Sequence, residues 1–184
     1  MADKKKLRIL ALAMLSIGAF LFSLGVDKLV IGKIFALRSP MLDSIFIAIG
    51  SYYVFYVLIA GPAIFMLLKN RKNFWNFIYT VAGAYFLSLL LKYIIHRPRP
   101  LEENRLLETI IESDPSFPST HATIFFAMAT LLSFLYPKHK YWILGVAAVI
   151  TFTRLYLGLH YLSDVVAGGM MGVFIGYYFC KRKK

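Results

Sequence analysis

The sequence predicts an all-α integral membrane protein, a bundle of six transmembrane helices forming a single domain over residues 1–184. The chain is 59% hydrophobic and only 16% charged, with a mean hydropathy of +0.67, whereas soluble domains are about half apolar and about a quarter charged. A transmembrane helix needs about 20 mostly apolar residues. Six uncharged runs approach or exceed that length: 9–26, 44–68, 73–91, 115–137, 141–153 and 165–180.

The first run follows a basic lead at residues 4–8, as the apolar region of a secretory signal peptide also does. The Ala-x-Ala sequence at 11–13 falls too early to be a cleavage site. We therefore expect an uncleaved first helix.

The longest connection, residues 93–117, joins the third and fourth runs. Residues 96–100 cannot continue a helix, because each proline lacks an amide donor and restricts the residue before it. Residues 101–111 mix apolar and charged side chains and predict a short interfacial helix between helices 3 and 4, either a lid over a polar site or a plain connector. Residues 26–43 are a candidate second interfacial segment.

The net charge of +12 is distributed as a membrane orientation signal, so we expect no nucleic-acid partner. Thirteen of the 21 Lys and Arg residues, with Asp3 the only acid among them, lie in the N-terminus, residues 69–72 and 138–140, and the tail 181–184. Positive residues favour the cytoplasmic side and anionic headgroups. We expect a multi-pass protein of the cell (inner) membrane with both termini cytoplasmic.

The same topology places a set of titratable residues together on the non-cytoplasmic face. Charged side chains are costly inside or beside a bilayer and mark functional sites there. The set comprises Lys92, Arg99, His121, Arg154, His160 and Asp164. Its convergence on one face makes a joint site geometrically possible.

Residues 115–121, Pro-Ser-Phe-Pro-Ser-Thr-His, are typical of a helix start. The unpaired amides and positive dipole end of a helix N-terminus bind anions. Ser119 and Thr120 add hydroxyl donors, and His121 would lie in the first turn. Taken alone, the prolines and serine are better explained by simple helix capping.

Arg154 and His160 would point about 240° apart on one straight helix, so a shared ligand requires a break between them, for which Gly158 is the expected position. Asp164 follows His160 by four residues, a spacing that allows its carboxylate to bind one ring nitrogen and fix the tautomer. A single such histidine is more often structural. Two histidines with several cations on one face favour a reaction site.

Arg99 lies between two prolines that would hold its guanidinium ready to bind phosphate. Lys92 ends the third run, and taken alone it is explained as well by snorkelling to headgroups. Such cations stabilise a transferring phosphoryl group. His160, oriented by Asp164, is the candidate nucleophile, and His121 is the candidate acid. His96 and Arg97 receive no distinct role.

We expect neither a metal nor a cofactor. Asp164 is the only carboxylate in these motifs, which lack the acidic cluster that magnesium or a binuclear centre requires. The only cysteine, Cys180, rules out an intramolecular disulfide and a cysteine-held metal.

The pattern K-x6-R-P, P-S-x-H and R-x5-H-x3-D, at 92–100, 118–121 and 154–164, resembles the type 2 phosphatidic acid phosphatase superfamily of membrane lipid phosphatases. The resemblance implies a six-helix bundle that hydrolyses a lipid phosphate without metal, through a phosphohistidine. It assigns phosphate binding to Lys92, Arg99, Ser119 and Arg154, the nucleophile to His160, its support to Asp164 and the acid to His121.

Two residues depart from the family pattern. Thr153 replaces the usual serine and keeps its hydroxyl, whereas Thr120 replaces the usual glycine. A β-branched residue resists positive φ, but threonine is acceptable in the first turn of a helix, and its amide can still donate. We therefore expect activity to survive.

Several functions are open at this stage. The resemblance supplies undecaprenyl pyrophosphate, phosphatidylglycerophosphate, phosphatidic acid and lipid A 1-phosphate as candidate substrates, with the lipid chain entering between helices. The residues at 116–123 and 157–164 resemble those of bacterial undecaprenyl pyrophosphate phosphatases, a resemblance that favours undecaprenyl pyrophosphate. A non-catalytic protein that binds or translocates anionic phospholipids is the alternative. A vanadate haloperoxidase shares the motifs, but the apolar runs disfavour it.

Overall fold

The computed structural model describes residues 2–100 and 114–181, with side chains described from Met14 onward. The described chain is helical, with no strand among these residues, and the all-α class is confirmed for them. The α-helices of the described residues are α1 (Ala2–Ala36), α2 (Pro40–Ile49), α3 (Tyr52–Lys69), α4 (Arg71–Ile95), α5 (Thr120–Leu135), α6 (Lys140–Tyr156) and α7 (Leu162–Lys181).

Within the described residues, four segments are long and apolar enough to cross a membrane: Met14–Ala36, Pro40–Lys69, Arg71–Ile95 and Leu162–Lys181. The apolar helix α5 is shorter, with 16 residues. At 1.5 Å per residue it reaches roughly 24 Å, less than the roughly 30 Å hydrocarbon core. Large apolar side chains such as Phe22, Tyr53 and Leu68 point away from the bundle and are mostly exposed, as expected where lipid surrounds the helices.

Two predicted boundaries are wrong. The run 44–68 is divided between α2 and α3, because Ser39 caps the start of α2 and Ser51 caps the start of α3. Residues 26–36 do not form a separate interfacial segment, because α1 continues through them to Ala36. The interfacial helix expected at 101–111 lies outside the described residues.

Helix α5 packs against α7 along three glycines, Gly168, Gly172 and Gly176, spaced four residues apart. A Cβ atom at Gly168 would lie 2.7 Å from the carbonyl oxygen of Ser119, and one at Gly176 would lie 2.5 Å from that of Ala127. Small residues at this spacing allow two membrane helices to approach closely. The contact fixes the start of α5 beside the start of α7.

The helical conformation is interrupted between α6 and α7 at the position predicted from the sequence. Helix α6 ends at Tyr156, Gly158 has a φ of 72°, and α7 begins at Leu162. A φ in this region favours glycine because a side chain would meet the backbone. The break turns the chain so that residues after Gly158 fold back over the end of α6, where the Leu159 amide donates to the Arg154 carbonyl over 3.0 Å.

The C-terminal end of α4 and the N-terminal ends of α5 and α7 therefore meet at one end of the bundle. The Ser119 amide donates to the Asp164 carbonyl over 3.1 Å, which joins α5 to α7. The Lys92 ammonium, in the last turn of α4, donates to the Pro115 carbonyl just before α5. The three sequence motifs are thus brought together in space.

Candidate active site

The N-terminus of α5 has the geometry of a capped helix start. Ser119 is the capping residue, with extended φ and ψ of −69° and 110°, and its Oγ accepts a hydrogen bond from the Ala122 amide over 3.4 Å. Thr120 is the first helical residue and does not have positive φ, which among the described non-glycine residues occurs at His96. The prediction that threonine fits here without backbone strain is confirmed.

Lys92 and Arg99 converge on one carboxylate that the sequence patterns do not single out, that of Asp114. Its Oδ2 lies 2.9 Å from Lys92 Nζ, and its Oδ1 accepts from Arg99 Nη2 over 2.7 Å. Lys92 is almost fully buried, whereas the Asp114 side chain is 36% exposed. The two cations therefore bind the two oxygens of a single anion at the edge of the site.

The charges around Asp114 control its ionisation. Partial burial acts to raise the pKa of the Asp114 carboxyl, but the hydrogen bonds and positive charges of Lys92 and Arg99 outweigh it and hold that pKa below its usual value. Asp114 is therefore an anion at neutral pH, as a bound phosphate would be.

His160 lies between a carboxylate and a cation. Its Nδ1 is 3.6 Å from Asp164 Oδ2 and 3.4 Å from Ser116 Oγ, and its Nε2 is 3.4 Å from Arg99 Nη1. Guanidinium can only donate, so we infer that Nε2 presents its lone pair to Arg99 and that Nδ1 carries the proton. This tautomer leaves Nε2 available as a nucleophile.

Asp164 is fully buried and held by several donors besides His160. Its Oδ2 accepts from Ser116 Oγ over 2.5 Å and from the Tyr161 amide over 2.8 Å. Its Oδ1 accepts from Arg97 Nη1 over 2.6 Å. The carboxylate cannot rotate without breaking these bonds, so its orientation toward His160 is fixed.

His121 lies in the first turn of α5 against the ring of Phe55, with ring centroids 4.6 Å apart. Its side chain is 7% exposed, and its Nε2 has no hydrogen-bond partner among the described residues. A buried polar atom without a partner is costly and is usually explained by function or by an absent ligand.

One cavity of about 580 Å³ joins the two histidines. The motif residues that line it are Lys92, Thr120, His121 and His160, and Asp114 lies at its edge. From these polar residues the cavity continues between α3 and α4, where its wall is apolar and aromatic and includes Tyr52, Phe55, Tyr56, Tyr85 and Leu89. It therefore has a cationic end and an apolar end.

Ser119 and Arg154 lie behind this cavity wall. Both are almost fully buried, and neither is among the described residues that line the cavity. Arg154 donates to the carbonyl oxygen of Gly50, at the junction of α2 and α3, and its Nε donates to Thr153 Oγ1 over 3.3 Å. Of the predicted site residues, Lys92, Thr120, His121 and His160 thus line the cavity. Arg99 and Asp164 contact His160 without lining it, and Ser119 and Arg154 are buried behind the wall.

Sequence reasoning missed four residues of this region: Asp27, Arg97, Asp114 and Ser116. Asp27 followed the first apolar run, so the cost of a charge near the bilayer was a signal for it. Arg97 shared the Arg-Pro-Arg-Pro sequence with Arg99. Their contacts join distant parts of the chain, and residue spacing does not reveal these.

A helical bundle with apolar outer faces thus holds two histidines and Lys92 around one cavity, an arrangement that suits a membrane phosphatase. Residues 73–183 match the PAP2 superfamily, and the chain belongs to that family. It is a membrane lipid phosphatase of the PAP2 class.

Two relatives, one named as a transport permease and one as a diphosphatase, are similar over most of their length. The chain is 31% identical to the bacitracin transport permease protein BcrC of Bacillus licheniformis, covering 78% of this chain and 70% of that protein. It is also 31% identical to an undecaprenyl-diphosphatase of Sulfolobus acidocaldarius, covering 74% and 68%.

A solved structure shares the fold. It is the transmembrane PAP2-type phosphatidylglycerolphosphate phosphatase of Bacillus subtilis, which superposes with a TM-score of 0.71 at 22% identity and covers 91% of this chain and 95% of that one.

Proposed function

We propose that this chain removes a phosphate group from a membrane lipid in two steps, with His160 as the nucleophile. The observation that carries the proposal is the cavity that joins His160 and His121 to Lys92, with an anion, the Asp114 carboxylate, bound between Lys92 and Arg99. Two cations that already bind one oxyanion can bind the oxygens of a phosphoryl group.

In the first step, Nε2 of His160 attacks phosphorus and the bond from phosphorus to the lipid oxygen breaks. A proton held on His121 passes to the departing oxygen, so the lipid leaves as a neutral alcohol, or as the shorter phosphate when the substrate is a pyrophosphate. Asp164 stabilises the positive charge that develops on the His160 ring. The unpartnered Nε2 of His121 fits this role because the substrate oxygen would be its partner.

In the second step, water attacks the phosphohistidine and the phosphorus–nitrogen bond breaks, which returns the electron pair to Nε2 of His160. His121, which lost its proton in the first step, accepts one from the attacking water. Inorganic phosphate leaves, and both histidines return to their starting states.

The phosphoryl oxygens require stabilisation in both steps. We assign this to Lys92, to Arg99 and to the backbone amide of Thr120 at the helix start. Lys92 and Thr120 line the cavity, and Arg99 lies beside His160. Ser119 and Arg154 act from the deeper layer, Ser119 by capping α5 and Arg154 by its charge. The proposed reaction uses no metal, and no three His, Cys, Asp or Glu side chains of the described residues are grouped to hold one.

We assign the lipid chain to the apolar end of the cavity, between α3 and α4. Exposed aromatic side chains, among them Tyr52 and Tyr56, form its wall and open toward the lipid side of the bundle. The relative named as an undecaprenyl-diphosphatase favours a polyprenyl pyrophosphate as substrate. Phosphatidylglycerophosphate, phosphatidic acid and lipid A 1-phosphate are the other candidates.

We further propose six membrane spans in which α2 and α3 together make the second. The positive-inside distribution then places both termini in the cytoplasm and the site on the outer face of the inner membrane. Lipid carriers whose pyrophosphate is exposed on that face would reach the site directly.

The test is phosphate release by the purified protein from a panel of these four lipids, with a chelator present and vanadate as a competitor. We expect chelator-resistant, vanadate-sensitive release, fastest with the polyprenyl pyrophosphate. His160→Ala should abolish release while lipid binding survives. Undiminished turnover by that variant would remove His160 as the nucleophile, and loss of activity with chelator would contradict the metal-free reaction.

A further inference from the structure

Asp27 is a buried carboxylate in α1, outside the residues 73–183 that match the family. It is 4% exposed, and every contact described for it lies at the start of α7 or in the loop after α4. It accepts from the Ser163 amide over 2.9 Å, from Ser163 Oγ over 2.5 Å and from Arg97 Nη2 over 2.8 Å. A charge buried this deeply in a membrane protein marks a functional residue.

Arg97 joins Asp27 to Asp164. One terminal nitrogen, Nη2, donates to Asp27, and the other, Nη1, donates to Asp164 Oδ1 and to Ser163 Oγ over 2.6 Å each. The guanidinium also lies over the ring of Tyr161, 4.1 Å from its centroid. Planar guanidinium can bridge two carboxylates in this way because its donors point in fixed directions.

This bridge helps to fix the orientation of Asp164 toward His160, together with the bonds that Ser116 and Tyr161 donate to Oδ2. Arg97 binds Oδ1, which leaves Oδ2 on the side of His160 Nδ1, at 3.6 Å. Without Arg97, only the contacts to Oδ2 would hold the carboxylate, and rotation about its Cβ–Cγ bond would no longer be opposed on the other side. Orientation of a carboxylate that supports a catalytic histidine affects the reaction rate strongly.

The bridge also sets how much negative charge Asp164 presents to His160. Arg97 neutralises part of that charge, and Asp27 restores it by sharing the Arg97 charge. The two residues therefore act on the site with opposite signs, through Asp164.

We propose that Asp27 and Arg97 are positioning residues for this phosphatase: Arg97 orients Asp164, and Asp27 balances the Arg97 charge so that Asp164 still stabilises a positive His160. The proposal rests on the roles given above to His160 and Asp164. It assigns α1, which the family match does not include, a direct part in building the site.

Several charged and titratable groups besides Asp27 and Arg97 affect the protonation of His160. Arg99 and Asp164 contact its ring, and Lys92, Asp114 and His121 line the same cavity. Arg154, at the end of α6, acts electrostatically on His121. All of them are unchanged in variants of Asp27 and Arg97, so differences between such variants report the bridge.

The experiment compares Asp27→Asn, Arg97→Gln and the double variant, with farnesyl pyrophosphate as the probe substrate in detergent. Asp43→Asn is the matched control, because Asp43 also accepts a hydrogen bond between helices, from Tyr156 over 2.7 Å, but does not contact the bridge. We expect each single variant to lower kcat by about 10- to 100-fold, as loss of an outer support does at metal sites, with KM changed by less than about threefold.

The pH dependence separates this role from a purely structural one. Loss of the Asp27 charge makes a positive His160 less stable, so the acid limb of the kcat/KM profile should move to lower pH. Loss of the Arg97 charge should move it to higher pH. In the double variant the limb should return toward the native position while kcat stays low, because the charges cancel but the orientation remains lost.

If Arg97→Gln fails to fold, Arg97→Lys provides the second variant: it keeps the charge but cannot reach both carboxylates, so kcat should fall with the acid limb unmoved. Suppose that His160→Ala inactivates the protein but that Asp27→Asn and Arg97→Gln have the same kcat and the same acid limb as Asp43→Asn. That result would overturn the positioning role and leave the proposed nucleophile standing. Full activity of His160→Ala would instead overturn the proposed nucleophile.

Discussion

Oδ2 of Asp114 lies 2.9 Å from Nζ of Lys92, where an oxygen of a bound phosphate would meet the same cation. The other carboxylate oxygen binds Arg99, so in the proposed function Asp114 and a phosphate group would compete for one pair of cations. If Lys92 and Arg99 bind the phosphate as proposed, this carboxylate holds the two cations together and is displaced when substrate binds. The relationship leads to a prediction about affinity.

Asp114→Asn should bind vanadate and inorganic phosphate more tightly than the native protein, by about tenfold or about 1.4 kcal/mol, because the competing charge is lost. Inhibition of phosphate release measures both affinities. Asp43→Asn, whose carboxylate bonds Tyr156 and not these cations, should leave them unchanged. Weaker binding in Asp114→Asn would show that Asp114 organises the cations more than it competes.

The gain in vanadate affinity of Asp114→Asn over the native protein should not depend on pH between about pH 5 and 8. Lys92 and Arg99 outweigh burial and hold the pKa of Asp114 below its usual value, so the carboxylate stays ionised throughout that range and is protonated only as the pH falls through its lowered pKa. The ratio of vanadate affinities, measured across the range, should be constant. A ratio that falls toward one near pH 5 would show that Asp114 titrates there.

His121→Gln should slow hydrolysis of a lipid phosphate by about 100- to 10,000-fold, because an alkoxide must then leave without a proton. The loss should be much smaller for p-nitrophenyl phosphate, whose leaving group needs no acid. Comparison of the two substrates in one preparation checks the role and controls for misfolding. Equal losses on both would show that His121 binds phosphate or supports the fold instead.

Thr120→Gly should leave kcat/KM within about twofold, a change of less than about 0.5 kcal/mol. Thr120 is the first residue of α5, and its φ is not positive. The glycine usual in the family would therefore relieve no strain, and either residue supplies the same backbone amide. Thermal unfolding should show a small loss of stability, because glycine is a weaker helix former. A large gain in activity would mean that the threonine side chain obstructs the site.

Sequence patterns predicted the structural features that depend on residues close together in the chain. The four-residue spacing of His160 and Asp164 and the break at Gly158 follow from helix periodicity and from the conformational freedom of glycine, and both occur. The Asp27–Arg97 bridge joins residues 70 apart, so only the folded chain shows it. The division of the second run was missed because a Gly-Ser pair in an apolar run does not by itself end a membrane helix, and Pro62 within α3 does not end one either.

Gly50→Ala should reduce kcat/KM by about 10- to 100-fold, as small misplacements of an active-site group can. Gly50 lies at the α2–α3 junction, where its carbonyl oxygen accepts from Arg154, and an added Cβ would lie 2.9 Å from Arg154 Nη2 and 2.9 Å from Leu157 Cδ1. Both contacts are too short, so Arg154 must move. Phosphate release at limiting substrate measures the loss.

Gly61→Ala is the matched control, because a Cβ at Gly61, within α3, would meet no atom within 4 Å. It should leave activity unchanged and stabilise the helix by up to about 1 kcal/mol. Vanadate affinity in Gly50→Ala should fall together with kcat/KM, because in the proposed function the charge of Arg154 stabilises the oxygens of the phosphoryl group. If Gly50→Ala loses turnover but keeps its vanadate affinity, Arg154 does not bind phosphate. Its role is then limited to holding α6 against the α2–α3 junction.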